Sequence, residues 1–184
     1  MKKVMLIGDS IRLGYQARVT ELLGEAAAVS GPADNCRFSS FTLFQIASWV
    51  PDNDYDVIQW NNGQWDVCYM LDGKIHTPLD QYLQLQSRIA IVLRKKTKRL
   101  IFATTTPVWP EQFATAKNNP RKNEDIDAYN RAAVDLLGRT GVEINDLNTP
   151  IAADVKRYIR EDMVHLTPEG NEVCAKRIAA MIQG

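Results

Sequence analysis

Short apolar runs alternate along this chain with segments in which apolar residues recur every three or four positions. Val4-Met-Leu-Ile7 is the first run, followed by Ala26-Ala-Ala-Val29, Asp56-Val-Ile-Gln-Trp60, Leu100-Ile-Phe-Ala103 and Val142-Glu-Ile144. None shows clean apolar–polar alternation, which predicts strands covered on both faces, as in a parallel sheet. Between the runs the period changes. Tyr82, Leu85, Ile89 and Val92 share one helical face, and Ile126, Tyr129, Ala133 and Leu136 share another. Thr167-Pro168 reads as an N-cap followed by proline at the first position of a last helix. The order β-α, five times over, predicts one three-layer α/β/α domain over residues 1–184, with a central, mostly parallel five-stranded sheet. The longest irregular stretch, Thr105 to Lys122, holds three prolines and is a candidate for lining a site.

Composition narrows the function. Lys plus Arg and Asp plus Glu are both 22, so the formal charge is zero. Such a balance offers no field for gathering nucleic acid or an anionic membrane. The one basic run, Arg94 to Arg99, falls where a helix should end, and cations suit a helix C-terminus. Three cysteines without a CxxC spacing and only two histidines assemble no zinc set, so free thiols in a reducing cytoplasm are expected. Met1-Lys-Lys followed by Val4–Ile7 is too short an apolar run for a signal peptide, and nothing approaches the length of a membrane span.

Ligands of open parallel sheets bind beyond the carboxyl ends of the strands. Three segments fall there: Gly8-Asp-Ser-Ile11, Asn61-Asn-Gly-Gln-Trp-Asp66, and Glu161-Asp-Met-Val-His-Leu-Thr167 before the last helix. Serine is a weak nucleophile until a base takes its proton, and the base works best when a third group fixes its tautomer. Ser10, His165 and Asp162 supply these three roles. Taken singly, each has a plainer reading: Ser10 as the cap of a helix beginning near Leu13, His165 as a surface histidine, Asp162 as a solvated loop acid. His76 is the rival base, with no acid at comparable spacing. The G-x-S-x-G elbow of the α/β-hydrolases is absent.

Gly8-Asp9-Ser10-Ile11 and Asp162-Met-Val-His165, at opposite ends of one α/β chain, resemble the SGNH (GDSL-type) hydrolases, and "HLTPEG" before a helix is similar to that family's ending. The resemblance implies a flavodoxin-like fold, carboxylic ester hydrolysis and no cofactor. It also implies Ser10 as nucleophile, His165 as base, Asp162 as its orienter, and an oxyanion hole of three parts. These are the Ser10 N–H, a glycine N–H after the second strand and an asparagine side chain after the third. Asn62 fits the asparagine, with Asn61 as second choice. No glycine fits the other position, since Gly31 comes too early, so an N–H near Ser39 is expected instead. Asn61, Trp65 and Trp109 are candidate substrate contacts. Arg37 and Asp66 are further candidate substrate contacts, with a surface role preferred. The expected activity is a cytoplasmic esterase for a small ester, by family inference the deacetylation of a carbohydrate, with a lipase or thioesterase as the alternative. A non-catalytic flavodoxin-like binding domain is the rival of another class. A signalling receiver would want an aspartate where Asn61 stands, and the glycine-rich phosphate-binding motifs are missing.

Overall fold

A computed structural model describes residues 1–184. Five parallel strands, β1 (Lys2–Ile7), β2 (Ala27–Ser30), β3 (Tyr55–Trp60), β4 (Thr97–Ala103) and β5 (Glu143–Asn145), form one sheet in the order β2-β1-β3-β4-β5. This is the doubly wound order of flavodoxin-like folds. The strands lie where the apolar runs predict; β1, β3 and β4 start earlier than their runs, and β2 and β5 are each shifted one residue toward the C-terminus.

Successive side chains of a strand point to opposite faces, so two cores form. Val4, Leu6, Val57, Ile101 and Ala103 pack on one side beneath helices α1 (Ser10–Leu23) and α8 (Pro168–Gln183). Met5, Ile7, Ile58, Trp60, Leu100 and Phe102 pack on the other, beneath α2 (Ser39–Trp49), α3 (Leu79–Leu93) and α5 (Asn123–Gly138). Both cores are sealed, which explains why the strands read as continuous apolar runs. The Thr105–Lys122 stretch carries one short helix, α4 (Gln112–Thr115), and the chain between β5 and α8 carries two more, α6 (Asn148–Ala152) and α7 (Val155–Tyr158). Thr167 caps α8 as expected, its hydroxyl accepting from the Gly170 N–H at 3.1 Å.

Cys36, Cys68 and Cys174 are free and buried, Cys36 and Cys174 within the two cores. No helix is long and apolar enough to cross a membrane.

Candidate active site

Every strand points its carboxyl end toward one edge of the sheet, and the loops there build the site. β1 ends at Ile7, and Gly8 turns the chain into α1. A Cβ on Gly8 would overlap the Asn61 side chain and Arg12, so only glycine lets β1 and the β3 loop approach this closely. Asp9, not Ser10, caps the helix: its Oδ1 accepts from the Ile11 N–H at 3.0 Å. The capping reading of Ser10 is therefore corrected. Ser10 is the first helical residue, its hydroxyl is left for other work, and its own N–H is one of the orphan donors of a first turn.

His165 faces that hydroxyl, with Nε2 2.9 Å from Ser10 Oγ, and its Nδ1 lies 3.0 Å from Asp162 Oδ2. The turn that presents both residues is tightly determined. Asp162 Oδ1 accepts from the Val164 N–H at 3.0 Å and the His165 N–H at 2.8 Å, while Met163 between them holds a left-handed φ of 69°. The Arg160 N–H donates to His165 O at 2.7 Å, and the Trp109 N–H to Met163 O at 3.0 Å. Partial burial works to raise the Asp162 carboxyl. The N–H bonds from Val164 and His165 and the neighbouring imidazole outweigh it, holding the carboxyl below the usual carboxylate range. Asp162 thus faces the imidazole as an anion.

His76 lies elsewhere. Its ring stacks on Phe38 with centroids 4.4 Å apart, Nδ1 meets Thr77 Oγ1 at 2.8 Å, and burial pushes its imidazole below the ordinary value. Nothing brings it to Ser10.

The expected oxyanion donors need correcting. Asn62 is fully buried, and its amide is spent on Arg37 O at 3.1 Å and Thr42 Oγ1 at 2.9 Å, so it braces the β2–α2 turn. The Ser39 N–H is likewise engaged, donating to both carboxylate oxygens of Asp66. In the same turn Arg37 takes a left-handed φ of 50°, the conformation a glycine would adopt freely, and its N–H bonds Asn35 Oδ1. Asn61 lies against Asp9: its amide donates to Asp9 Oδ1 over a long 3.3 Å and its Oδ1 accepts from Tyr15 Oη at 3.0 Å. One of its N–H groups is uncommitted.

The two tryptophans differ. Trp109 donates Nε1–H to Ile159 O at 3.1 Å and carries the Lys156 ammonium 3.6 Å above its ring, so it braces the loop of His165. Trp65 is half-buried in the loop after β3, and no hydrogen bond fixes its indole.

Solved structures share this arrangement of elements over nearly the whole chain. A lipase/acylhydrolase from Enterococcus faecalis superposes with a TM-score of 0.79 at 18% identity, covering 100% of this chain and 96% of its own. An acetyl xylan esterase gives 0.77 at 20% identity, over 97% and 98%. A GDSL-like lipase from Bacteroides thetaiotaomicron gives 0.75 at 16%, over 99% and 88%. The chain has the GDSL-type hydrolase fold. No family profile matches the sequence and no curated protein does, so the likeness lies in the fold.

Within this GDSL-type fold three buried charged residues escaped the sequence reading. Asp66, expected at the surface, is fully buried; its carboxylate accepts from the Ser39 N–H and hydroxyl and so caps α2 from the neighbouring loop. Burial is the main cause that pushes its carboxyl up to about 6. Arg12 and Arg121 are also buried. No local signal marks the distant contacts: Asp66 caps Ser39 across 27 positions, Arg12 reaches Asp34 O across 22 and Arg121 reaches Gln64 O across 57.

Proposed function

We propose that the protein is a serine esterase that cleaves a small ester through an acyl-enzyme on Ser10. The observation that carries this reading is the unbroken chain Ser10 Oγ–His165 Nε2 and His165 Nδ1–Asp162 Oδ2, at 2.9 and 3.0 Å. Ser10 Oγ attacks the ester carbonyl as His165 Nε2 takes its proton. The same nitrogen then returns that proton to the leaving alcohol. A water activated by His165 releases the acid and frees the serine. Asp162 holds the ring and supports its charge when it appears.

For the oxyanion we assign the Ser10 N–H and the spare N–H of Asn61, in place of Asn62 and Ser39. Both belong to or touch the first turn of α1, whose positive end favours developing negative charge. The Phe38 N–H, beside Ser39 in the β2–α2 turn, bonds no other group and is a further candidate donor.

The substrate class we favour is an acetylated carbohydrate. One fold neighbour is an acetyl xylan esterase, which supports a short acyl group on a sugar. The test is a chain-length series: acetate release from acetylated xylooligosaccharides, against p-nitrophenyl esters from acetate to decanoate. Acetyl esters should be the best substrates, and Ser10→Ala should lose them. A clear preference for decanoate would replace the deacetylase reading with a lipase.

A further inference from the structure

Ser10 and His165 share a cavity of about 90 Å³ where the starts of α1 and α8 meet the loop before α8, and Gly14, Arg160 and Asn171 help to wall it. Gly14 lies inside α1, where glycine costs stability relative to alanine. Asn171 accounts for it: a Cβ on Gly14 would stand 2.8 Å from Asn171 Oδ1 and 3.4 Å from its Nδ2. The missing side chain makes room for the amide, yet the amide gains no protein partner there. Oδ1 is sealed from solvent without a hydrogen bond, whereas Nδ2 is unpaired but open. Turning the amide over exchanges the two atoms and still leaves one sealed and one open. Helix stability alone would favour alanine at position 14 and an apolar side chain at 171. Two adjoining positions that forgo stability beside a nucleophile point to a ligand.

The reaction says which part of an ester comes here. His165 Nε2 returns its proton to the leaving alcohol, so the alcohol oxygen must come within hydrogen-bond reach of that nitrogen. The cavity touches both Ser10 and His165, while Asn61 and Phe38, on the oxyanion side, do not line it. It therefore lies on the alcohol side of the scissile bond. Its walls are held: the Arg160 N–H donates to His165 O at 2.7 Å, and the Asn171 N–H donates to Thr167 O at 2.9 Å. A space this small suits a hydroxyl close to the ester oxygen rather than a long alkyl chain.

We infer that Asn171 is a specificity-determining residue of the Ser10 site, and that it selects esters whose alcohol carries a free hydroxyl on the carbon next to the esterified one, as in a monoacylated vicinal diol. A hydroxyl both donates and accepts, so it pairs with the open amide atom in either orientation. The inference rests on the esterase reading of Ser10 and adds to it a requirement on the leaving alcohol.

The experiment compares 2-hydroxyethyl acetate with n-propyl acetate, which exchange a hydroxyl for a methyl. The ratio of their kcat/KM values is divided by the ratio of their hydroxide-catalysed rates, which removes intrinsic reactivity. The unmutated protein should then favour the hydroxyethyl ester about three- to tenfold, the scale of one neutral hydrogen bond. Asn171→Leu keeps the outline of the side chain and removes its polar atoms. The corrected preference should vanish while the melting temperature holds or rises, the opposite of what losing a bracing hydrogen bond would do. Gly14→Ala probes the same contact from the other helix: it should fold at least as well, push the amide aside and abolish the preference too. Absence of a corrected preference in the unmutated protein overturns the inference. So does a preference that survives in folded Asn171→Leu or, should that variant not fold, in Gly14→Ala. Failure of the esterase reading looks different, since the unmutated protein would then hydrolyse neither acetate.

Discussion

His165 Nε2 stands 2.9 Å from Ser10 Oγ although 155 positions separate the two residues. The closeness follows from helix packing. Ser10 opens α1 and His165 ends the loop before α8, and these two helices lie side by side, tied by the Arg18–Glu172 pair and by Asn171 packed against Gly14. Bringing two helix starts together places a hydroxyl beside an imidazole.

The proposed base can be tested against the other histidine. His165→Ala should lower kcat by ~10²–10⁴-fold, the range of a lost general base, with the fold retained. His76→Ala should leave kcat/KM and its pH profile near the unmutated values, because His76 faces Phe38 and Thr77. Steady-state kinetics of both variants beside their melting curves check this.

Asp162→Asn separates orientation from folding. Asparagine keeps the Oδ1 that receives the Val164 and His165 N–H groups, so the melting temperature should move by only a few degrees at neutral pH. The charge facing Nδ1 is lost, and kcat should fall strongly, by as much as ~10⁴-fold for the equivalent change in a serine protease. Because the folded carboxyl titrates below its ordinary value, whatever stability its charge contributes is present at neutral pH. That contribution is lost only as pH falls below the ordinary carboxylate range, through the lowered value. Loss of activity on mild acidification thus does not come from Asp162.

Asn61 and Asn62 should part company. Asn61→Ala should reduce kcat ~10²–10³-fold with little change in KM, as for a lost oxyanion donor. Asn62→Ala leaves Arg37 O and Thr42 Oγ1 without their donor. It should cost about 1–3 kcal/mol of stability, seen in denaturant unfolding, more than it costs chemistry. The reverse pattern would restore Asn62 to the oxyanion hole.

Much of this was legible in the sequence, for physical reasons. The five strands betrayed themselves because both sheet faces are buried, and Thr167-Pro168 marked the start of α8 because capping is local. Ser10, Asp162 and His165 could be named because their spacing sets them at the ends of elements. Two adjacent asparagines could not be ranked, since one residue of register decides which faces Asp9 and which faces Thr42. Asp66 read as a surface charge because the Ser39 groups it receives lie on another loop, and no periodicity records a contact between loops.

Asp66 supplies a pH signature of its own. Its carboxyl titrates at about 6 in the fold against 3.8 unperturbed, so the unfolded chain ionises first. Stability should fall as pH rises from about 4 to about 6 and level off above, a loss on the order of 3 kcal/mol. Asp66→Asn has no such step. Relative to the unmutated protein, the variant should gain roughly 6–12 °C in melting temperature between pH 4 and 6.5. A gap that stays flat or moves the other way would show that the buried carboxyl is not the source.

The nucleophilic role of Ser10 is tested most directly by covalent labelling. The folded protein is treated with a fluorophosphonate, digested, and mapped by mass spectrometry, alone and as the His165→Ala variant. The account predicts one phosphonyl adduct, on the peptide containing Ser10, formed much more slowly without His165. An adduct on another serine, or none on the folded protein, would contradict it.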